Sequence, residues 1–334
     1  MPDLNLDNPE VREEILSIAQ FWLDRGADGF RLDAVTSFYT GHKEKNIEFL
    51  RWLNDGIKAI RPDAYLVGEA WTDGVTITDY YGSGLDSFFN FPYSQATGRL
   101  VAALNARTGR NLAGSLAEWN RTIQAARPGA RDALFLSNHD HARSAGILMR
   151  DIRRQKMAAA LYLLAPGNPF VYYGEELGMT GSGKDENARL PMAWSTTDPA
   201  GIPLPPPNAT QTVEGIDGAD RQLRDRNSLL QYYRRIFTIK ARYPEIARGI
   251  PEARDGGLQE VAILAMTWQG RTVCVVHNLA EEAVSVDLAL AGLQGATLGD
   301  SLAVAGGKPR MARDRLSMPP LSTAILVAAE GAGE

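Results

Sequence analysis

Four apolar runs in this chain end the same way, in a short cluster of charged and polar side chains, and that shared design restricts the fold more than any other feature. The runs are Ala27 to Ala34, Ala64 to Gly68 leading into Glu69-Ala70-Trp71, Ala133 to His141, and Pro169 to Glu176, with a further strand-like stretch at Ser87 to Pro92. Near-continuous apolar runs of this length are strands buried on both faces, as in a parallel sheet. Helical patterns separate them. Asn8 and Pro9 are an N-cap and a first helical residue, followed by Val11, Ile15, Ile18, Ala19 and Trp22 at helical spacing. Further helices are expected at about 45–60, 113–126, 153–164 and 228–243. Strands alternating with helices, each strand functional at its C-terminal end, describe a parallel α/β sheet or a (β/α) barrel, and in a barrel those ends converge on one mouth.

The first run carries the sharpest constraint. Strand side chains alternate, so Arg31 and Asp33 point the same way from a stretch that is otherwise apolar. A buried charge is costly alone, so each is expected to be the other's counter-ion, which would keep Asp33 ionised.

Beyond the fifth strand the rhythm breaks. Residues 178–221, with Gly181-Ser182-Gly183-Lys184 and Pro203-Leu204-Pro205-Pro206-Pro207, read as a long loop. Past Gly249 the pattern becomes alternation, with strands at 261–268, 272–277 and 284–288 and a Gln269-Gly270 turn. The expected division is a (β/α) barrel region over 1–249 and an antiparallel all-β domain over 250–334.

Asp33, Glu69 and Asp140 stand 36 and then 71 residues apart, and one strand-helix unit takes about 30 to 40 residues. The acids therefore fall at matched strand ends, one unit and then two units apart. One acid after a strand is as readily a helix cap or a turn residue. Three at matched ends point to a cleft. Hydrolysis of a glycosidic bond needs an ionised carboxylate as nucleophile and a protonated carboxyl to donate to the leaving oxygen, and a separation of about 5 to 5.5 Å gives retention of configuration. Glu69 is the better acid, because it follows an apolar strand beside Trp71 and has no adjacent cation in sequence. Asp140, beside His139, suits gripping sugar hydroxyls near the reacting carbon.

Composition removes other classes of function. The 40 acidic and 35 basic residues are interspersed, with a formal net charge of -5, so no basic tract suits a phosphate backbone and nucleic acid is not an expected partner. No apolar stretch reaches the roughly 20 residues that span a bilayer, and the first residues carry no signal-peptide pattern. The chain reads as soluble, with no membrane partner and its compartment left open. Cys274, the single cysteine, lies in Val273-Cys274-Val275-Val276 and is expected to be buried and inert. His139-Asp140-His141 can be read as a pair of imidazole ligands, but only His42 and His277 remain elsewhere, so ligands run short and no metal site is expected.

Gly29-Phe30-Arg31-Leu32-Asp33-Ala34, Val67-Gly68-Glu69-Ala70-Trp71 and Phe135-Leu136-Ser137-Asn138-His139-Asp140 resemble three short signature regions of the α-amylase family, glycoside hydrolase family 13. Met1-Pro2-Asp3-Leu4-Asn5 resembles a further signature, in the form seen between the oligo-1,6-glucosidase and neopullulanase groups. Tyr172-Tyr173-Gly174-Glu175-Glu176-Leu177-Gly178-Met179 and Arg189-Leu190-Pro191-Met192-Ala193-Trp194 resemble the stretch around the family's last strand. The resemblance implies Asp33 as nucleophile, Glu69 as acid/base and Asp140 as transition-state stabiliser. It also implies Arg31 and His139 as contacts to sugar or carboxylates, Arg189 as a contact to a terminal sugar, and Trp71 as a stacking face on the leaving side. The implied reaction is retaining hydrolysis of α-1,4 links in starch or malto-oligosaccharides, with oligo-1,6-glucosidase or transglycosylating action as the alternative.

The departures from the family matter equally. Many α-amylases carry a Lys-His pair after the Asp-Ala that serves substrate and calcium; here Val35-Thr36-Ser37 stands instead. No cofactor is therefore expected of this chain, and calcium is left to a full-length protein. The family barrel has eight strands, of which about strands 4 to 8 are legible here, and the signature on its third strand is absent. An open arc exposes two edges and its apolar interior. The expectation is a partial (β/α)8 barrel of TIM type whose open edges are covered by a missing N-terminal segment or by self-association. A remaining alternative is a glucan-binding or partner-dependent fragment without activity of its own.

Overall fold

A computed structural model describes residues 3–195, 197–201, 204–213 and 215–329. Met1 and Pro2 of the opening signature and Pro203 of the proline-rich run lie outside the described residues. The chain divides into two compact units, Met1–Pro92 with Arg121–Ala133, and Tyr93–Asn120 with Leu134–Glu334.

The first unit is built on four parallel strands, β1 (Gly29–Leu32), β2 (Tyr65–Gly68), β3 (Ser87–Phe89) and β4 (Arg131–Ala133), whose order in the sheet is their order in the chain. Such sequential addition is how a barrel wall is laid down. The register of β1 on β2 runs from Gly29 opposite Tyr65 to Leu32 opposite Gly68. A Cβ at position 29 would lie 1.9 Å from the Tyr65 carbonyl oxygen, so this close pairing requires glycine. Two helices flank the first strands. Pro9–Leu23 starts as expected, with Asn8 Oδ1 accepting the Glu10 N–H at 2.9 Å. Lys43–Ile60 buries Phe49, Leu50, Leu53 and Ile57 on one face.

Two expectations for this unit need correction. The β1 strand is not buried on both faces: Phe30 and Leu32 are half-buried, and β1 pairs with β2 alone in the sheet order. On the preceding helix, Ala19 and Leu23 are buried, whereas Ile18 and Trp22 are about half exposed. Helical periodicity identifies an apolar stripe but not what lies against it.

In the second unit, Leu134, Phe135 and Leu136 continue the buried run without a regular ladder. The Leu134 carbonyl accepts the Phe170 N–H at 2.8 Å, and the Leu136 carbonyl accepts that of Gln95 at 2.9 Å. Pro169 to Glu176 does not form the expected strand. Gly174, at φ 80°, turns the chain into one 3₁₀ turn, Glu175–Leu177. Glu175 is thereby carried inward, where Tyr162 and Tyr233 donate to its Oε1 at 2.6 and 2.7 Å. Tyr162 comes from the buried helix Ile152–Leu163 and Tyr233 from Leu229–Arg242, both close to their expected bounds.

From Ile250 the second unit is all β. Strands β5 (Ile250–Arg254), β6 (Val261–Trp268), β7 (Arg271–Asn278), β9 (Thr297–Ala303) and β12 (Ser322–Val327) make a sheet ordered β5-β6-β7-β12-β9. A smaller sheet is ordered β10-β11-β8, from Arg310–Ala312, Arg315–Met318 and Val284–Asp287. All pairs are antiparallel. Val261, Ile263, Cys274, Val276, Val286, Leu316 and Leu326 share one core. Ala262, Leu264 and Met266 are buried too, so β6 is covered on both faces rather than half solvated. Cys274 is fully buried, and that burial pushes its thiol up to about 12. The architecture is thus a mixed α/β region with the parallel strands of a partial (β/α)8 barrel, plus a separate C-terminal β-sheet region. No helix among the described residues is long and apolar enough to cross a membrane.

Candidate active site

The C-terminal ends of β1 and β2 bring Arg31, Asp33 and Glu69 together. One guanidinium serves both acids: Arg31 Nη1 donates to Asp33 Oδ1 at 2.8 Å and Nη2 to Glu69 Oε1 at 2.6 Å. The arrangement follows from strand geometry. Arg31 and Asp33 share a face of β1, and the Glu69 N–H donates to the Leu32 carbonyl at 2.9 Å, which sets Glu69 beside them. The pairing of Arg31 with Asp33 is as expected. Burial of Asp33 is not: its side chain is 76% exposed, against 8% for Glu69.

Ala34 closes the arrangement with an unusual backbone. Its φ of 42° and ψ of 46° lie in the left-handed region, which costs a non-glycine residue about 1 to 2 kcal/mol. In that conformation the Ala34 N–H donates to Glu69 Oε2 at 3.3 Å, so both oxygens of Glu69 are engaged.

The carboxyl of Glu69 is held above its ordinary range, and burial is the main cause. The Ala34 N–H and the Arg31 charge pull the other way, and the neighbouring Asp33 carboxyl adds to the rise. The expected direction therefore holds for Glu69, but the expected reason is corrected. A cation is adjacent, and desolvation outweighs it.

Trp71 follows two residues later, about half exposed and stacked on Phe91 with ring centres 5.2 Å apart and planes within 9°. A cavity of about 330 Å³ lies beside it, lined by Thr36, His42, Asn46, Thr76 and Tyr80. The same ring thus stacks on Phe91 and lines this hollow.

Asp140, His139 and Arg189 form a second set in the other unit. Asp140 Oδ1 accepts from Arg189 Nη2 at 2.8 Å, and its Oδ2 lies 3.2 Å from His139 Nε2. Arg189 Nε donates to the His139 carbonyl at 3.1 Å. Asn138 Oδ1 accepts the Asp140 N–H at 3.0 Å and lies 2.6 Å from His141 Nδ1. Burial keeps the His141 ring below its usual protonation range. Among the described residues no three His, Cys, Asp or Glu side chains cluster as metal ligands.

Two residues that sequence reasoning passed over support this set. Arg143 is 1% exposed and donates to three main-chain carbonyls, at Tyr173, Ala188 and Leu190. Glu175, which looked like one more polar strand end, is buried and pushed up to about 7 by desolvation. Its Oε2 accepts from Ser137 Oγ at 3.4 Å, at the root of the segment that carries Asp140. Neither residue announces itself locally. An Arg three positions after an Asp and a Glu doublet after Gly174 are ordinary surface sequence.

The model of the alpha-amylase catalytic domain matches residues 1–249. Alpha-amylase 3 of Dictyoglomus thermophilum is 35% identical over 283 residues, covering 84% of this chain and 55% of that protein. The structure of Eubacterium rectale Amy13B superposes with a TM-score of 0.94 at 35% identity, covering 98% of this chain and 65% of that one. A trehalose synthase of Thermus thermophilus is 26% identical over 377 residues, covering 97% of this chain and 38% of that protein. The chain spans about half the length of the curated relatives it matches. With its family model matched along three of every four residues, and with Asp33 and Glu69 directly following parallel strands, the chain belongs to the alpha-amylase family.

Proposed function

We propose that this chain carries the catalytic residues of a retaining glycoside hydrolase of α-amylase type, acting on α-1,4 links in starch or malto-oligosaccharides. The observation that carries this reading is the shared guanidinium. Asp33 and Glu69, on adjacent strand ends, both bond Arg31, and Glu69 alone of the two is desolvated. Two carboxyls in unlike surroundings are what double displacement requires.

In the first step the Asp33 carboxylate attacks the anomeric carbon while Glu69 gives its proton to the departing glycosidic oxygen. The product is a glycosyl ester on Asp33. Glu69, now a carboxylate, then takes a proton from water as that water attacks the same carbon, and Asp33 leaves as carboxylate. Asp140 and His139 hold hydroxyls of the reacting sugar, and Asp140 stabilises the positive charge of the transition state. Arg31 orients both acids, Arg189 and Trp71 contact further sugar units, and residues 1–249 form the catalytic domain with 250–334 as an accessory β domain. The opening signature favours a place near the α-amylases intermediate between the oligo-1,6-glucosidase and neopullulanase groups.

The similarity to a trehalose synthase along 97% of the chain favours a second reading, in which a sugar hydroxyl replaces water in the second step. Reducing-sugar release from maltoheptaose, with Asp33→Asn as control, tests the first reading. Release well above the control with retained anomeric configuration supports it, equal rates in both proteins overturn it, and isomerised or redistributed oligosaccharides without net release favour transfer.

A further inference from the structure

We infer that Arg143 is a positioning residue, a buried clamp that fixes Arg189 against Asp140; the inference rests on the reading that Asp140 belongs to the catalytic set. A guanidinium is costly to bury, and Arg143 is offset by no direct carboxylate bond among those given for the described residues, only by the nearby charges of Glu175 and Glu176. Its donors go instead to main-chain carbonyls: Nη1 to Tyr173 at 2.6 Å, Nε to Ala188 at 2.9 Å and Nη2 to Leu190 at 3.4 Å. Tyr172 and Tyr173 set their rings against it, with centroids 4.5 and 4.7 Å from its central carbon.

The identity of those carbonyls gives the arrangement its meaning. Ala188 and Leu190 flank Arg189, so one rigid fork grips the backbone on either side of the residue that bonds Asp140. Arg143 itself follows Asp140 by three positions, and its own N–H donates to the Gly181 carbonyl at 2.9 Å. One residue thus holds the backbone on both sides of Arg189 and stands three positions along the chain from Asp140, the partner of Arg189 at 2.8 Å. Among the described residues of 178–221 the regular elements are short helical turns, Asp185–Ala188 and Ala219–Arg224 among them, so the backbone around Arg189 has little regular structure to fix it. A lysine in place of Arg143 would bring a single ammonium, with neither the planar fork nor the ring stacking.

The test compares wild type, Arg143→Lys, Arg189→Ala and the double variant in the full chain. Hydrogen exchange is expected to accelerate in peptides covering 138–143 and 186–192 of Arg143→Lys, with 271–278 unchanged. In wild type the Arg143 Nε–H is expected to give a slowly exchanging resonance. With maltoheptaose, Arg143→Lys should lower kcat on the order of tenfold to a hundredfold with little change in KM. Adding it to Arg189→Ala should cost nothing further. A rapidly exchanging wild-type Nε–H, unchanged local exchange in Arg143→Lys, or fully additive losses would each overturn the clamp. Absence of wild-type turnover would instead sink the hydrolase reading, and the exchange measurements would still decide the role of Arg143.

Discussion

Arg31 and Glu69 sit on neighbouring strands, 38 residues apart in the chain, and meet at 2.6 Å. The contact makes Arg31 a partner of the acid as well as of the nucleophile, so its removal has a signed consequence. Arg31 lowers the carboxyl of Glu69 against the larger effect of burial. In Arg31→Met the Glu69 pKa rises further. Since Glu69 must be protonated to act on the leaving group, the alkaline fall in kcat/KM moves to higher pH. A pH–rate profile that keeps its alkaline limb in place would contradict the assignment.

Glu69→Gln removes the proton donor and keeps the side chain's size. Turnover of maltoheptaose is expected to fall by on the order of a hundredfold to ten-thousandfold. An aryl glucoside whose phenolate leaves without protonation should recover much of the first step. Burst kinetics with that substrate, compared between wild type and variant, check the point.

Glu175 makes stability depend on pH. Its carboxyl is pushed up to about 7 when folded, whereas an unfolded Glu titrates near about 4.3. Between those values the folded state binds the extra proton, so stability falls as pH rises through that window and levels off above about 7. The full loss is on the order of 3 kcal/mol. Glu175→Gln still accepts from Tyr162 and Tyr233 but cannot ionise, so its urea midpoint should lack this decline between pH 5 and pH 8.

Trp71→Ala removes the face backed by Phe91. Aromatic contacts of this kind are worth about 0.5 to 1.5 kcal/mol, so KM for maltoheptaose should rise about twofold to tenfold. Hydrolysis of a short aryl glucoside that does not reach Trp71 should be unaffected. A variant impaired equally on both substrates would place Trp71 in packing rather than in binding.

Much of this was legible because it is local. The alternation of β1 put Arg31 and Asp33 on one face, and Asn8-Pro9 marked a helix start, all within a few residues of sequence. The second bond of Arg31, to Glu69, depends on the register of β1 against β2, which no short window encodes. Glu175 illustrates the same limit. Its neighbours in sequence suggest a strand end, but the tyrosines that enclose it lie 13 and 58 residues away. The half exposure of Ile18 and Trp22 likewise reflects what packs on a helix, not the helix pattern itself.

Ala34 leaves a final consequence. Its left-handed backbone aims an amide at Glu69, and glycine would adopt that shape without penalty. A glycine there would be expected to raise the melting temperature of the folded chain if its looser denatured ensemble did not cancel the gain. The methyl group also narrows the backbone shapes open to this position, so the amide keeps pointing at one oxygen. Selection for a sturdier protein and selection for a faithful proton donor would then favour different residues at the same position.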